Sequence, residues 1–369
     1  MSAVPCKRRV ALVTNIAAHY RLPLYRRLAD RYDADFFFTG LGNRYWSPDH
    51  CQETDGLRAI PARWPLRLAL HLALGRYECV VIGLGGRLSL LGAVLATKLR
   101  RRPYVLWVGL WAQPKTMFHR LTWPLVRTLF RDADALLVYG SHVAKFVERE
   151  SGRREAVFEA VQAVENDHFA GRIRARPDCG AELRALFVGR LEPEKGLDVL
   201  LESLSLVSAP VTLGLAGSGS LEPMLREAVS GLRLESRVVF LGYTPQDRLP
   251  DLYASADVLV LPSVTTPRFR EPWGLVVNEA MSAGLPVVAT TAVGATAGGL
   301  VVDEETGLVV EEGDREALAQ SLDRLARDRA LLARLGANAR THVLRWSYGA
   351  AETAFSQAID GALAARERT

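Results

Sequence analysis

The chain has 369 residues, 49% of them hydrophobic and 24% charged, with 30 Gly, 18 Pro and four Cys. That composition excludes disordered, collagen-like and low-complexity chains and suits two domains of ordinary size. The net charge of +5 hides a split: residues 1–180 carry 28 Lys and Arg against 16 Asp and Glu, and residues 181–369 carry 18 against 25. Such asymmetry predicts two domains facing different partners, the basic one an anionic partner. No apolar run approaches the ~18 residues of a spanning helix. The start lacks the apolar core and cleavage site of a secretory signal. Cys6, Cys51, Cys79 and Cys179 have no paired spacing for zinc or redox chemistry. These features predict a reduced, cytoplasmic chain.

In chain order, Val10–Thr14 reads as a strand, followed by a helix through Leu24, Tyr25 and Leu28. Strands follow at Asp35–Phe38 and Cys79–Ile82, then a helix from about Leu88 to Arg100 and a strand at Tyr104–Val108. Leu136–Val138 is a further strand, leading into a helix through Phe146 and Val147. Strands alternating with helices predict a parallel sheet with right-handed crossovers. A basic stretch with Pro and Gly, residues 166–182, reads as a linker. The second half repeats the grammar. Its strands are Leu186–Val188, Val211–Ala216, Val238–Leu241, Val258–Leu261, Val287–Thr290 and Leu308–Val310, with helices starting near Leu197, Leu221, Asp247, Leu275 and Arg315. The predicted fold class is therefore α/β, with two Rossmann-like doubly wound domains. The first spans 1–165 and the second 183–345, while 346–369 forms a last helix that can cross back to the first. Ligands of such sheets bind at the carboxyl ends of the strands.

Two stretches carry chemistry. In Phe187-Val-Gly189-Arg190-Leu-Glu-Pro-Glu-Lys195-Gly196-Leu a strand ends at Gly189 and a helix follows Gly196. One Arg and one Lys at a helix start suit a diphosphate, through charge and backbone amides. Lys195 is the only Lys after residue 180, in a chain with 41 Arg and five Lys. It therefore reads as a position that needs a compact ammonium. The second stretch is Glu271-Pro-Trp273-Gly274-Leu275-Val276-Val-Asn-Glu279. Glu279, a turn or two into the helix, can accept hydrogen bonds from a ribose diol. The amides of Gly274, Leu275 and Val276 would meet a sugar or phosphate.

These stretches, with Leu215-Ala-Gly-Ser-Gly219, Val239-Phe-Leu-Gly242, Ala254 to Ser263, Thr306-Gly-Leu-Val-Val and Trp346-Ser-Tyr348, resemble the retaining glycosyltransferases of family 4, which have the GT-B fold. The resemblance spans residues 183–350 and implies roles position by position. Arg190 and Lys195 would neutralise the diphosphate of a nucleoside-diphosphate sugar, beside the strand end at Gly189. Val239, Phe240 and Leu241 would cradle the base, Glu279 would hold the ribose, and Glu271 would lie against the transferred sugar. The implied activity is retaining and metal-independent, with no cofactor beyond the sugar donor as co-substrate. The implied acceptor is a glycan, a lipid-linked molecule or a small metabolite. The sequence shows no His/Cys ligand cluster.

The first half matches less closely. Its first loop supplies Asn15, His19, Tyr20 and Arg21 as acceptor-side candidates, without the Gly-Gly pair that relatives carry there. The stretch after Val108 has no His until His119, and Gln113 is the candidate for a sugar contact. These departures leave a second reading, a donor-binding but silent partner subunit of another transferase. Residues 63–74 and 117–130 interleave cations with Leu, Trp and Phe, so an anionic membrane surface at the inner face is a candidate partner. Residues 88–102 read as an ordinary crossover helix. No nucleic-acid motif accompanies the charge.

Overall fold

A computed structural model describes residues 7–40, 54, 56–85, 87–170 and 182–367. Contacts divide the chain into two units: residues 1–110, 121–162 and 348–369, and residues 111–120 and 163–347.

The first unit is built on β1 (Arg9–Thr14), β2 (Asp33–Phe38), β3 (Arg58–Pro61), β4 (Cys79–Gly83), β5 (Tyr104–Val108), β6 (Ala135–Val138) and β7 (Val157–Glu159). They lie in the order β3-β2-β1-β4-β5-β6-β7, and each pairing is parallel. The central strands are short runs of Val, Ile, Leu and aromatic residues buried almost end to end, as strands covered on both faces must be. Helix Tyr348–Glu367 belongs to this unit. Its Phe355 ring stands edge-on to Trp107 at 5.1 Å, Arg366 pairs with Asp134 at 3.0 Å, and Tyr348 Oη donates to the Tyr20 carbonyl at 2.6 Å.

The second unit is built on β8 (Leu183–Val188), β9 (Val211–Ala216), β10 (Val238–Gly242), β11 (Val258–Leu261), β12 (Val287–Thr290) and β13 (Gly307–Val310). Their order is β10-β9-β8-β11-β12-β13, again parallel throughout. Both sheets have the doubly wound order expected from the sequence. Each reverses direction once, between β1 and β4 and between β8 and β11. Aspartates begin the late helices: Asp314 accepts from the Ala317 amide and Asp328 from the Leu331 amide, as N-caps do.

The edge strands β3 and β7 are additions to the sequence reading. They are short and half-exposed, so neither alternation nor a buried apolar run marks them. Residues 166–170, read as the start of a linker, form a helix of the second unit, where the Ser282 hydroxyl donates to Asn166 at 3.1 Å. Residues 171–181 lie outside the described residues, as do Cys6, Cys51 and Cys179. Cys79 is a buried free thiol. No described helix is long and apolar enough to cross a membrane. The crossover helix Arg87–Leu99 buries only one face, leaving Leu88, Leu91, Leu95 and Leu99 in solvent.

Gly196 fixes the turn that aims Lys195. Its φ is +62°, and an added Cβ would stand 2.2 Å from the Pro262 carbonyl oxygen. Backbone cannot give way as a side chain can. Gly196→Ala is therefore expected to lower the unfolding midpoint by several degrees, from strain of about 1–3 kcal/mol plus the clash. An unchanged midpoint in a thermal melt would contradict that assignment.

Candidate functional site

The candidate site of the second unit is assembled where its sheet changes direction. β8 ends at Val188, and Gly189 and Arg190 leave its carboxyl end. β11 ends at Leu261, and the chain then runs through Ser263 to Glu271. Neighbouring strand ends whose loops part in opposite directions open a crevice for a ligand.

After Arg190 the chain turns through a 3₁₀ segment, Pro193–Lys195, into helix Leu197–Leu206. Lys195 and Glu271 are both more than 90% buried. The Lys195 ammonium donates to Glu271 Oε2, and the Ser263 hydroxyl reaches the same oxygen at 3.4 Å. Arg190, on the same loop five residues before Lys195, donates to Glu194 at 2.7 Å. The Gly217–Ser220 loop is tied to this one: the Ser220 amide and hydroxyl both donate to Glu192, at 3.1 and 2.8 Å.

Gly274 begins helix Leu275–Ser282 at φ +93°, and an added Cβ would come 2.8 Å from Leu261 Cδ2. Trp273 is buried, its indole N–H donating to Asn278 at 2.7 Å. This bond pins the segment that carries Gly274, Leu275 and Val276. Glu279, the fifth residue of that helix, is buried and accepts from the Tyr253 hydroxyl at 2.7 Å. Burial pushes its carboxyl up to about 7, while the Tyr253 hydrogen bond pulls the other way. A ligand hydroxyl would add a second donor to the charged form.

Val239, Phe240 and Leu241 lie on the edge strand β10. Val239 and Leu241 are exposed, and the Arg226 guanidinium lies 4.2 Å from the centre of the Phe240 ring. The site also holds a residue that the sequence reading gave no role, Trp111. Residues 111–120 belong to the second unit although they follow β5. The Trp111 indole N–H donates to the Glu271 carbonyl at 2.9 Å, and the Arg270 guanidinium stacks 3.7 Å from the Trp111 ring. Gln113, half-buried, follows two residues later. Trp111 stood in a stretch read for its missing histidine, and nothing local in sequence signals a partner 160 residues away. His119 is held by the Thr116 hydroxyl.

The acceptor-side candidates lie in the first unit, after β1. Asn15 Oδ1 accepts from the Ile16 amide at 2.9 Å, which shapes the turn. His19 stands edge-on to Tyr20 at 5.4 Å. Arg21 donates to the Tyr139 hydroxyl and stacks 4.3 Å from the Trp107 ring.

Among the described residues, no group of three or more His, Cys, Asp or Glu side chains converges as a metal site would. Two Asp-x-Asp triplets, which the metal-free reading of the sequence left out of account, are engaged within the first unit. Asp35 accepts from Tyr77 and pairs with Arg9 at 3.1 Å. In the other triplet Asp132 pairs with Lys98 at 2.6 Å and Asp134 with Arg366.

Residues 177–342 match the family model described as glycosyl transferases group 1. In structure the chain has the GT-B fold. It is similar to the Anabaena protein Alr3699/HepE, solved with UDP and glucose, at TM-score 0.75 and 18% identity over 96% of this chain and 99% of that one. It is also similar to the lipopolysaccharide outer core galactosyltransferase WaaB, at TM-score 0.73 and 14% identity over 95% and 99%. By sequence it is 33% identical to a D-inositol 3-phosphate glycosyltransferase of Streptomyces avermitilis over 258 residues, 64% of this chain and 53% of that protein. An uncharacterized glycosyltransferase of Methanocaldococcus jannaschii is 37% identical over 149 residues, 40% and 36% of the two chains. The chain spans about half the length, or less, of these curated relatives.

Proposed function

We propose that this protein is a retaining glycosyltransferase that moves a sugar from a nucleoside-diphosphate sugar to a hydroxyl of a glycan, a lipid-linked molecule or a small metabolite. The observation that carries this reading is the buried Lys195–Glu271 pair with Arg190 at the turning point of the second sheet. The family match over 177–342 supports it. The UDP and UDP-glucose complexes of structural neighbours support a uridine donor.

Sugar transfer is limited by departure of the nucleoside diphosphate from a sugar that gains oxocarbenium character. The anomeric C–O bond to the phosphate breaks, a new one forms to the acceptor oxygen, and the acceptor's proton leaves with the phosphate. Negative charge grows on the departing oxygen. Lys195 and Arg190 are the groups proposed to meet it, aided by amides at the start of helix Leu275–Ser282. Preorganised charge of this kind needs little rearrangement during reaction. Glu271 has two proposed roles, holding the Lys195 ammonium in place and accepting from hydroxyls of the transferred sugar. Glu279 would accept from the ribose, and Val239, Phe240 and Leu241 would flank the base. Asn15, His19, Tyr20, Arg21 and Gln113 are the proposed acceptor side.

The test uses the purified chain with UDP-glucose and other nucleotide sugars, with and without EDTA. UDP release that survives EDTA and falls at least a hundredfold in Glu271→Gln is the expected result. An NMR spectrum of the transfer product should show the donor's anomeric configuration. Inversion would overturn the retaining mechanism, and full turnover in Glu271→Gln would overturn the residue roles.

A further inference from the structure

Helices Pro65–Leu74 and Arg87–Leu99 of the first unit pack side by side, Gly92 lying against Pro65 and Ala69. Each buries a face of its own, with Leu68 and Leu72 on one helix and Ala93, Val94 and Ala96 on the other. The remaining leucines are not in the core. Leu66, Leu70 and Leu74 repeat every fourth residue and are 82%, 56% and 75% exposed. Leu88, Leu95 and Leu99 on the partner helix are 73%, 60% and 73% exposed, with Leu91 beside them. At 100° per residue each set forms one stripe, turned away from its own buried face. Trp64, 72% exposed, stands at the start of the first helix. Scattered apolar residues on a surface are ordinary, but two aligned leucine stripes on adjoining helices are not.

Charge identifies what covers them. From Arg63 to Arg102 the chain carries eight Lys or Arg and one acid, Glu78. Arg63 and Arg67 are exposed near the start of the first stripe, and Arg100 and Arg101 are exposed beyond the end of the second. A second copy of this chain would set these cations against themselves, because a two-fold interface meets its own patch. An anionic lipid surface offers the opposite: negative headgroups for the arginines and an apolar layer just beneath for the leucines. The geometry points to this helix pair as a membrane-docking face, lying in the plane of an anionic bilayer with its leucines below the headgroups. It reassigns residues 88–102, which the sequence presents as an ordinary crossover helix, to the docking face. The inference does not depend on the proposed sugar transfer.

The experiment is flotation of the full chain with vesicles of phosphatidylcholine alone or with 30% phosphatidylglycerol. Binding to the anionic vesicles at least tenfold stronger than to the neutral ones, and weakened by salt, is expected. Leu70→Ser/Leu95→Ser should lose at least tenfold in binding with an unchanged thermal midpoint, since both side chains are already in solvent. Arg63→Gln/Arg67→Gln should weaken binding to anionic vesicles and flatten its salt dependence. No binding to anionic vesicles, or equal binding by the leucine variant, would overturn the proposal. So would sedimentation that shows a dimer lost in the leucine variant while vesicles go unbound, which would make the occupant a second copy.

Discussion

Lys195→Met should cost about 3–5 kcal/mol of stability, because it leaves the Glu271 carboxylate buried without a counter-ion. Ser263 at 3.4 Å is a weak substitute, donating one neutral hydrogen bond at its outer distance limit. The double variant Lys195→Met/Glu271→Leu removes both charges and should regain most of that loss, since a buried ion pair replaced by apolar groups of similar size is often neutral. Donor binding and turnover should stay lost in both variants. Denaturant melts paired with UDP titrations distinguish the roles. If the pair only held the fold, the stable double variant would still bind nucleotide. If it serves the ligand, stability returns and binding does not.

Glu279→Gln should stabilise the protein in mild alkali while weakening donor binding. Burial pushes the carboxyl up to about 7 in the folded chain, from an ordinary value of 4.5. Between those values the folded state holds a proton that the unfolded state has released, so stability falls as pH rises. The group's contribution is fully present below pH 4.5, declines to pH 7 and is absent above it. The span corresponds to about 3 kcal/mol. A glutamine never ionises, and its carbonyl can still accept from Tyr253. Its midpoint should therefore exceed the parent's by several degrees at pH 8 and nearly match it at pH 5. Donor affinity should move the other way. It should rise from pH 6 to pH 8 in the parent, as the acceptor carboxylate forms, and stay flat in the variant. A stability difference independent of pH would contradict the buried, proton-holding carboxyl.

Much of this site is local in sequence, which explains its legibility. The Gly189-to-Gly196 loop with its lone Lys195, and the helix start at Leu275, are each written within a dozen consecutive residues. The sheet order followed from the same local alternation of apolar runs and helices. What sequence could not supply was contact across the fold. Lys195 and Glu271 are 76 residues apart, Tyr253 and Glu279 are 26 apart, and Trp111 is 160 residues from the carbonyl it grips. The crossover helix at 88–99 was legible, but the exposure of its leucines was not, for a related reason. Periodicity shows that a helix has apolar residues on two sides but not which side the sheet covers. The edge strands β3 and β7 are too short and too exposed for any period to register.

The most direct test of the donor site is thermal unfolding of the purified protein with UDP, GDP, dTDP, ADP and CMP in turn, without added metal. A nucleotide at a hundred times its dissociation constant adds about 2.7 kcal/mol to the state that binds it. For domains of this size that raises the midpoint by roughly 5–10 °C. Such a shift is expected with one nucleoside diphosphate, UDP first, and none in Lys195→Met/Glu271→Leu. No shift with any of the five, or an equal shift in the double variant, would contradict it.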